Sequence, residues 1–399
     1  MASTTMAILL KATLPVFCRV QTERDAAKGA APAVTMPIDR GFTKVSIDGQ
    51  AVELLVDTGY WDLVVMDGDW YEEKYGEGAC GKAHSGCYFC PKVTPCVFNA
   101  NTTAKSDFVG NAAIETITRT GMLSLGDHHT PTPFTFRVAR ATSWIPGVRP
   151  HGFLGLSGLS PSLNQSVRNS SVDGSFIEGL MHHNLIHRMS YTLRTGAHAQ
   201  ISDFISGRLT IGDTVTESME SNYSFFHFPY GSEYSPTLPR TWVSSVGLLD
   251  AADGNLSAAW KYPKSILTAM DTGSNRIHLP HPDLPGVIEG TLRKRLTANG
   301  FRNERIDLMY RRGSSGSLHV RREAVRYLPT LVLHLGDGRR SIPVKIPPRR
   351  YCKNIGKRET VILVQQQSGL NVLGTPLFRA CSVHVDFGEG KIALLVNRN

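Results

Sequence analysis

The chain has 399 residues, 41% of them hydrophobic and 8% aromatic, with 43 Lys and Arg against 34 Asp and Glu and a formal net charge of +9. That much apolar side chain with so little charge bias excludes a disordered chain, and at about 100–200 residues per domain the length excludes a single small binding module. No stretch approaches the ~20 apolar residues of a membrane-spanning helix, so no integral membrane segment is expected. Short Val-, Ile-, Leu- and Thr-rich runs punctuated by Gly, Pro, Asn and Asp predict an all-β protein.

Residues 1–35 read as a leader or N-terminal extension, with an apolar run from Met6 to Phe17 that Lys11 interrupts. The segment 36–213 then opens a first repeat. The apolar strand Val52–Val56 delivers Asp57 into a turn made by Thr58 and Gly59, and a second apolar strand, Leu63–Val65, follows. Cys80, Cys87, Cys90 and Cys96 come next, with His84 among them. The CxxC spacing of Cys87 and Cys90 admits zinc, but the other spacings match no standard zinc pattern. With Cys18 left to the leader, Cys352 and Cys381 complete an even set of six, suited to three disulfides of undetermined connectivity and to an oxidising compartment. Five glycosylation sequons, at Asn101, Asn164, Asn169, Asn222 and Asn255, point the same way, to the secretory pathway. Further along come the hairpin-like Phe108, Val109, Gly110 and Asn111, the apolar pair and glycine Phe153, Leu154 and Gly155, and a short helix over Phe176–His182. Ser157 begins a pattern like a nucleophile elbow, but Leu159 takes the last glycine position, so it is read as a turn residue. His182, His183 and His187 lack a placed carboxylate, and no metal site is assigned.

The segment 214–399 repeats the scheme. Ile266–Met270 delivers Asp271 into Thr272, Gly273 and Ser274, and Ile277–Leu279 follows. A helix is expected from Asp283 to Ala298, and Val372, Leu373 and Gly374 supply a second apolar pair with glycine. Asp57 to Gly155 spans 98 residues and Asp271 to Gly374 spans 103, which makes a duplication of two lobes the economical reading. The charge is equally local: residues 291–360 hold 18 basic and 5 acidic side chains, while the rest of the chain is slightly acidic. This stretch reads as a solvated face of the second lobe, with a patch for an anionic surface or acidic substrate as the alternative, and nothing else supports a nucleic-acid partner.

Two facing Asp-Thr-Gly turns have a chemical logic. Glycine lets the turns approach, and each Thr hydroxyl can bond the backbone of the opposing loop. Carboxylates sharing one site cannot both ionise, so the pair holds one proton. The ionised Asp then takes a proton from a bound water while the protonated Asp polarises a peptide carbonyl. No cofactor is required.

At these residues the sequence resembles the pepsin-like aspartic proteases from about Met36 onward. Gly152–Leu156, Gly207–Gly212, the run Val372–Arg379 with Val385–Phe387, and Ile392–Leu394 are similar to that family's lobe-closing, junction and C-terminal segments, and the cysteine cluster is loosely similar to the nepenthesin-type insert. The resemblance implies a bilobal all-β fold and an aspartic endopeptidase. Its catalytic pair would be Asp57 and Asp271, supported by Thr58, Gly59, Thr272, Gly273 and Ser274, with Phe108 as flap residue. It also implies a monomer, secreted or vacuolar/lysosomal, that holds a protein or peptide substrate in the cleft between lobes. Tyr60 and Trp61 stand where the family carries a hydroxyl residue, Phe108 replaces a flap Tyr, and 56 residues before Asp57 leave little space for a signal peptide plus an inhibitory prosegment. The alternative these departures raise is a catalytically impaired binding or inhibitor protein.

Overall fold

Strands dominate, as the periodicity predicts, and among the described residues they form four sheets. The structure is a computed structural model that describes residues 33–82, 84–108, 112–126, 130–158, 174–196, 201–215, 224–227, 238–249, 256–281, 283–313, 316–337, 339–366 and 369–396. The expected leader lies outside these residues up to position 32, and so do Asn164, Asn169, Asn222, Asn255 and the tip 109–111. Val34 and Thr35, placed in the leader by sequence, belong to the first strand, where they pair with Ile211 and Thr210. Asn101 is exposed in a described turn. No described helix is long and apolar enough to cross a membrane.

The first large sheet runs in the order Phe42–Ile47, Gln50–Asp57, Phe153–Gly155, Leu63–Asp67, Thr132–Ser143, Ala112–Leu125, Ala104–Phe108. Phe42–Ile47 also pairs with Ala112–Leu125, which closes the sheet on itself. The second runs Ser341–Ile346, Thr330–Gly336, Arg240–Leu249, Leu256–Met270, Val372–Leu373, Ile277–Leu279, Val364–Gln366. Each places its apolar companion strand between the strand that delivers Asp and the strand that follows the turn. Phe153–Gly155 lies parallel to Gln50–Asp57 and antiparallel to Leu63–Asp67, and Val372–Leu373 lies parallel to Leu256–Met270 and antiparallel to Ile277–Leu279. The repeat in the sequence is therefore a repeat in topology.

A six-stranded sheet joins the two halves of the chain, taking Val34–Ile38, Gly207–Ile211 and Ser190–Thr195 from one, and Cys381–Asp386, Lys391–Val396 and Ser224–His227 from the other. Its central pairing is Tyr191 opposite Val385 and Leu193 opposite Val383, all fully buried. Burying each such side chain stabilises the fold by roughly 1.5–3 kcal/mol. The two expected helices form at Phe176–His182 and Leu284–Ala298. Ser175 and Glu178 make a capping box for the first, and Asp283 caps the second. Helices at Gly68–Tyr75 and Thr375–Ala380 were not anticipated; the latter starts with Pro376 in its first turn and is buried on every side, which hides helical periodicity.

The cysteine expectation needs correction. Cys80 bonds Cys87 and Cys90 bonds Cys96, which splits the CxxC pair between two bridges, and His84 pairs with Glu53 at 2.5 Å. Cys352 and Cys381 are not a third bridge but buried thiols. They open strands of different sheets, Cys352–Ile355 in a small four-stranded sheet and Cys381–Asp386 in the central one, and Cys381 Sγ bonds the carbonyl of Leu377 at 3.4 Å. Burial raises both thiols, Cys381 to about 12.

The basic stretch also departs from a uniform solvated face. Arg295 and Arg350 are buried, and Arg295 donates to the carbonyls of Leu328 and Leu249, each at 2.8 Å. Arg311 forks onto Glu359, Arg312 reaches Glu289 at 2.6 Å, and Arg293 reaches Asp307 at 2.7 Å. Thiol labelling without reductant should leave Cys352 and Cys381 unmodified in the folded protein and label both in denaturant. A Cys352–Cys381 linked peptide in the digest would contradict this pairing.

Candidate active site

The strand Gln50–Asp57 ends on Asp57, and the strand Leu256–Met270 ends one residue before Asp271. Both carboxylates therefore emerge where a strand breaks into a turn. The turns are bound to each other reciprocally. Thr58 N donates to Thr272 Oγ1 at 3.0 Å and Thr272 N donates to Thr58 Oγ1 at 2.9 Å. Each hydroxyl donates further across the junction, Thr58 Oγ1 to the carbonyl of Met270 at 2.9 Å and Thr272 Oγ1 to that of Val56 at 2.6 Å. Both threonines are buried.

The glycines give the carboxylates room. A Cβ on Gly59 would stand 2.5 Å from Asp271 Oδ1, and one on Gly273 would stand 2.6 Å from Asp57 Oδ2. Each carboxylate also accepts from the amide of its own turn, Gly59 N to Asp57 Oδ1 and Gly273 N to Asp271 Oδ1, both at 2.8 Å. Asp57 and Asp271 share a hydrogen bond. Burial, then the charge of Asp271, holds Asp57 well above the usual carboxylate range; burial raises Asp271 too, against the pull of the Gly273 amide and the Asp57 hydrogen bond. Carboxyls this close share one proton as a pair.

The expected site residues Asp57, Thr58, Gly59, Asp271, Thr272 and Gly273 thus come together. Ser274 acts differently from expectation: its hydroxyl lies 3.4 Å from the carbonyl and amide of Arg276, and its backbone amide is what favours the ionised Asp271. The Tyr60 amide does the same for Asp57. The Tyr60 ring is buried, stacked on Trp61 at 4.5 Å and packed 5.6 Å from Phe108 and 5.8 Å from Phe153. Its phenol, pushed up to about 12 by burial, bonds Ser106 on the hairpin strand Ala104–Phe108. Phe108 is accordingly committed to this aromatic wall, which Trp144 completes at 6.3 Å.

Sequence reasoning missed three supports. The companion glycines exist because chain passes against them: a Cβ on Gly155 would meet the backbone of Asp62 at 2.7 Å, and one on Gly374 would clash with the carbonyls of Ser274 and Arg276. Ser157, fully buried, donates to the carbonyl of Thr58 at 2.9 Å and so buttresses the first turn. Asp203 ties the second turn to the first half of the chain, accepting from Lys353 Nζ at 2.6 Å and Asn275 Nδ2 at 3.4 Å, while its carbonyl accepts from Thr375 at 2.8 Å. The sequence marked Gly155 and Gly374 as repeated companions and Ser157 as a turn residue without showing what each touches, and it gave no signal for Asp203. Among the described residues no cluster of three or more His, Cys, Asp or Glu side chains is arranged to hold a metal ion. No protein-family model matches the sequence, and no curated protein matches it.

Two outcomes follow from this geometry. Thr58→Val or Thr272→Val strands buried backbone groups and should cost about 1–3 kcal/mol for each group left unpaired, read as a lowered unfolding midpoint. The raised carboxyls bind their proton more tightly in the folded state than in the unfolded one. Their stabilisation is fully present below the ordinary value of 3.8 and is lost as pH rises through the folded value. Asp57→Asn should flatten that decline and gain stability relative to wild type at neutral pH; an unchanged pH profile of stability would contradict the shared proton.

Proposed function

We propose that the protein is an aspartic endopeptidase with a bilobal pepsin-like fold, in which lobes 36–213 and 214–399 hold an extended peptide between them. The observation that carries the reading is the pair of Thr-stapled turns that brings Asp57 and Asp271 into one hydrogen bond. The companion strand repeated in both large sheets supports the lobe duplication.

The chemistry needs no covalent intermediate. Asp271, ionised and backed by the amides of Gly273 and Ser274, removes a proton from a water held between the carboxyls. The resulting hydroxide equivalent attacks the scissile carbonyl carbon as protonated Asp57 donates to the carbonyl oxygen, giving a neutral tetrahedral diol. Collapse returns the proton from the diol to Asp57 and moves the other from Asp271 to the leaving nitrogen, which breaks the C–N bond and restores the starting pair. The disulfides at Cys80–Cys87 and Cys90–Cys96 agree with an oxidising compartment such as the secretory pathway, and we read the protein as a secreted or vacuolar/lysosomal monomer.

An impaired binding protein is the rival reading. The Tyr60 ring turns into the aromatic wall while its amide still serves Asp57, and this favours the enzyme. Purified protein should cleave a denatured protein substrate at about pH 3–5, with Asp57→Asn and Asp271→Asn each reducing the rate at least about 100-fold. Activity should vanish as pH rises and the pair loses its proton. Absence of cleavage across the acid range would leave the rival reading.

A further inference from the structure

Apart from Lys353, which holds Asp203, the acid–base site makes no use of the basic stretch, and two groups of its cations contrast. Arg293, Arg311 and Arg312 are matched by carboxylates, and Arg295 is spent on buried carbonyls. Arg305, Arg321, Arg322, Lys357 and Arg358 are exposed, and among the described residues none lies within ion-pair distance of a carboxylate. These five are neighbours. Arg321 Nε donates to the carbonyl of Leu308 at 3.2 Å, Arg322 Nη1 to that of Lys357 at 3.2 Å, and Arg322 N to that of Arg358 at 3.1 Å, while Leu308 N bonds the carbonyl of Arg305. Bonds to carbonyls hold the side chains without neutralising them. Glu304, Asp307 and Glu323 are the exposed carboxylates beside them; Asp307 is matched by Arg293, which leaves five cations against two unmatched carboxylates.

Two apolar side chains stand inside this patch. Leu308 is 69% exposed and Ile355 is 40% exposed, the latter at a hairpin turn where Gly356 takes φ +64° and Lys357 and Arg358 follow. We propose that this surface docks on a membrane bearing anionic phospholipids, with Leu308 and Ile355 entering the headgroup boundary and the five cations meeting the headgroups. A bilayer is the partner that rewards both features at once, because aliphatic tips gain from the acyl boundary while Arg and Lys stems lie along it and keep their charges at headgroup level. A soluble polyanion engages the charges and gains nothing from Leu308 or Ile355. Nucleic acid would favour an exposed aromatic for stacking, and none stands among these residues.

Co-sedimentation of the full chain with vesicles tests this, using phosphatidylcholine alone and phosphatidylcholine mixed with phosphatidylserine at pH 7. Binding is expected to the mixed vesicles only. It should be lost when salt rises from about 0.1 M to about 1 M, as the screening length falls from about 10 Å to about 3 Å. At roughly fivefold per cation, the double change Arg321→Glu with Arg322→Glu should weaken binding at least about 25-fold. Leu308→Ser with Ile355→Ser, in other elements, should weaken it severalfold with the unfolding midpoint unchanged. No sedimentation with anionic vesicles at low salt would overturn the proposal, as would charge-reversed protein binding like wild type. Vesicle binding indifferent to the serine changes, or retention on immobilised heparin without vesicle binding, would replace the membrane with a soluble polyanion.

Discussion

The reciprocal threonine staple is the constraint on which the remaining geometry depends. Thr58 and Thr272 each donate two hydrogen bonds across the junction, from amide and hydroxyl, and accept one at the hydroxyl, so neither turn can move without unpairing buried groups in both. Net, a buried hydrogen bond gives about 0.5–1.5 kcal/mol, but leaving a partner unmade costs about 1–3 kcal/mol, and that asymmetry is what locks the turns. Once locked, the rest follows by exclusion. Positions 59 and 273 must be glycine because the opposing carboxylate occupies the place of a Cβ, and positions 155 and 374 must be glycine because the chain leaving each turn runs against them.

The same closeness sets the electrostatics of the site. Asp57, buried, and Asp271, half-buried, lie near enough to be electrostatically unfavourable when both are charged, and the fold answers with amides from Gly59, Tyr60, Gly273 and Ser274 rather than with a basic side chain. A neighbouring Arg would have lowered both carboxyls and removed the proton that the proposed mechanism draws on. Main-chain donors settle the ionised partner while leaving the pair able to share a proton. Tyr60 illustrates the consequence: because the amide does the work, the side chain after the first turn is released to pack against Trp61, Phe108 and Phe153.

This also marks how far the sequence could be read. The two Asp-Thr-Gly turns, their apolar companions and the helices at Phe176–His182 and Leu284–Ala298 are local patterns, and local patterns survive folding. Ser157 looked like a turn residue because its partner, the Thr58 carbonyl, lies 99 residues away. Asp203 carried no signal at all, since its ties to Asn275, Lys353 and Thr375 exist only after the halves meet. Cys352 and Cys381 misled for a related reason: an even count argues for pairing, but the two open strands of different sheets. Charge counting erred in the same direction, because it could not separate Arg295, buried among carbonyls, from Arg321 on the surface.

Acidity acts on more than the paired turns. In the central sheet, burial holds His384 down to about 4 from the ordinary 6.5, with its Nδ1 2.8 Å from Thr192 Oγ1 and 3.8 Å from Asp213. A histidine held neutral favours the folded state above 6.5, and that advantage is lost as pH falls toward 4. Asp213 works in the opposite sense, since burial raises its carboxyl and protonation then favours the native sheet. The Asp57 and Asp271 pair likewise favours acid. The sheet that joins the two halves and the site between the two turns therefore respond to protons with opposite signs at His384 and at the carboxyls. The fold tolerates acid to the extent that buried carboxyls gain what His384 loses, and the pH at which the pair keeps its proton is set inside that balance.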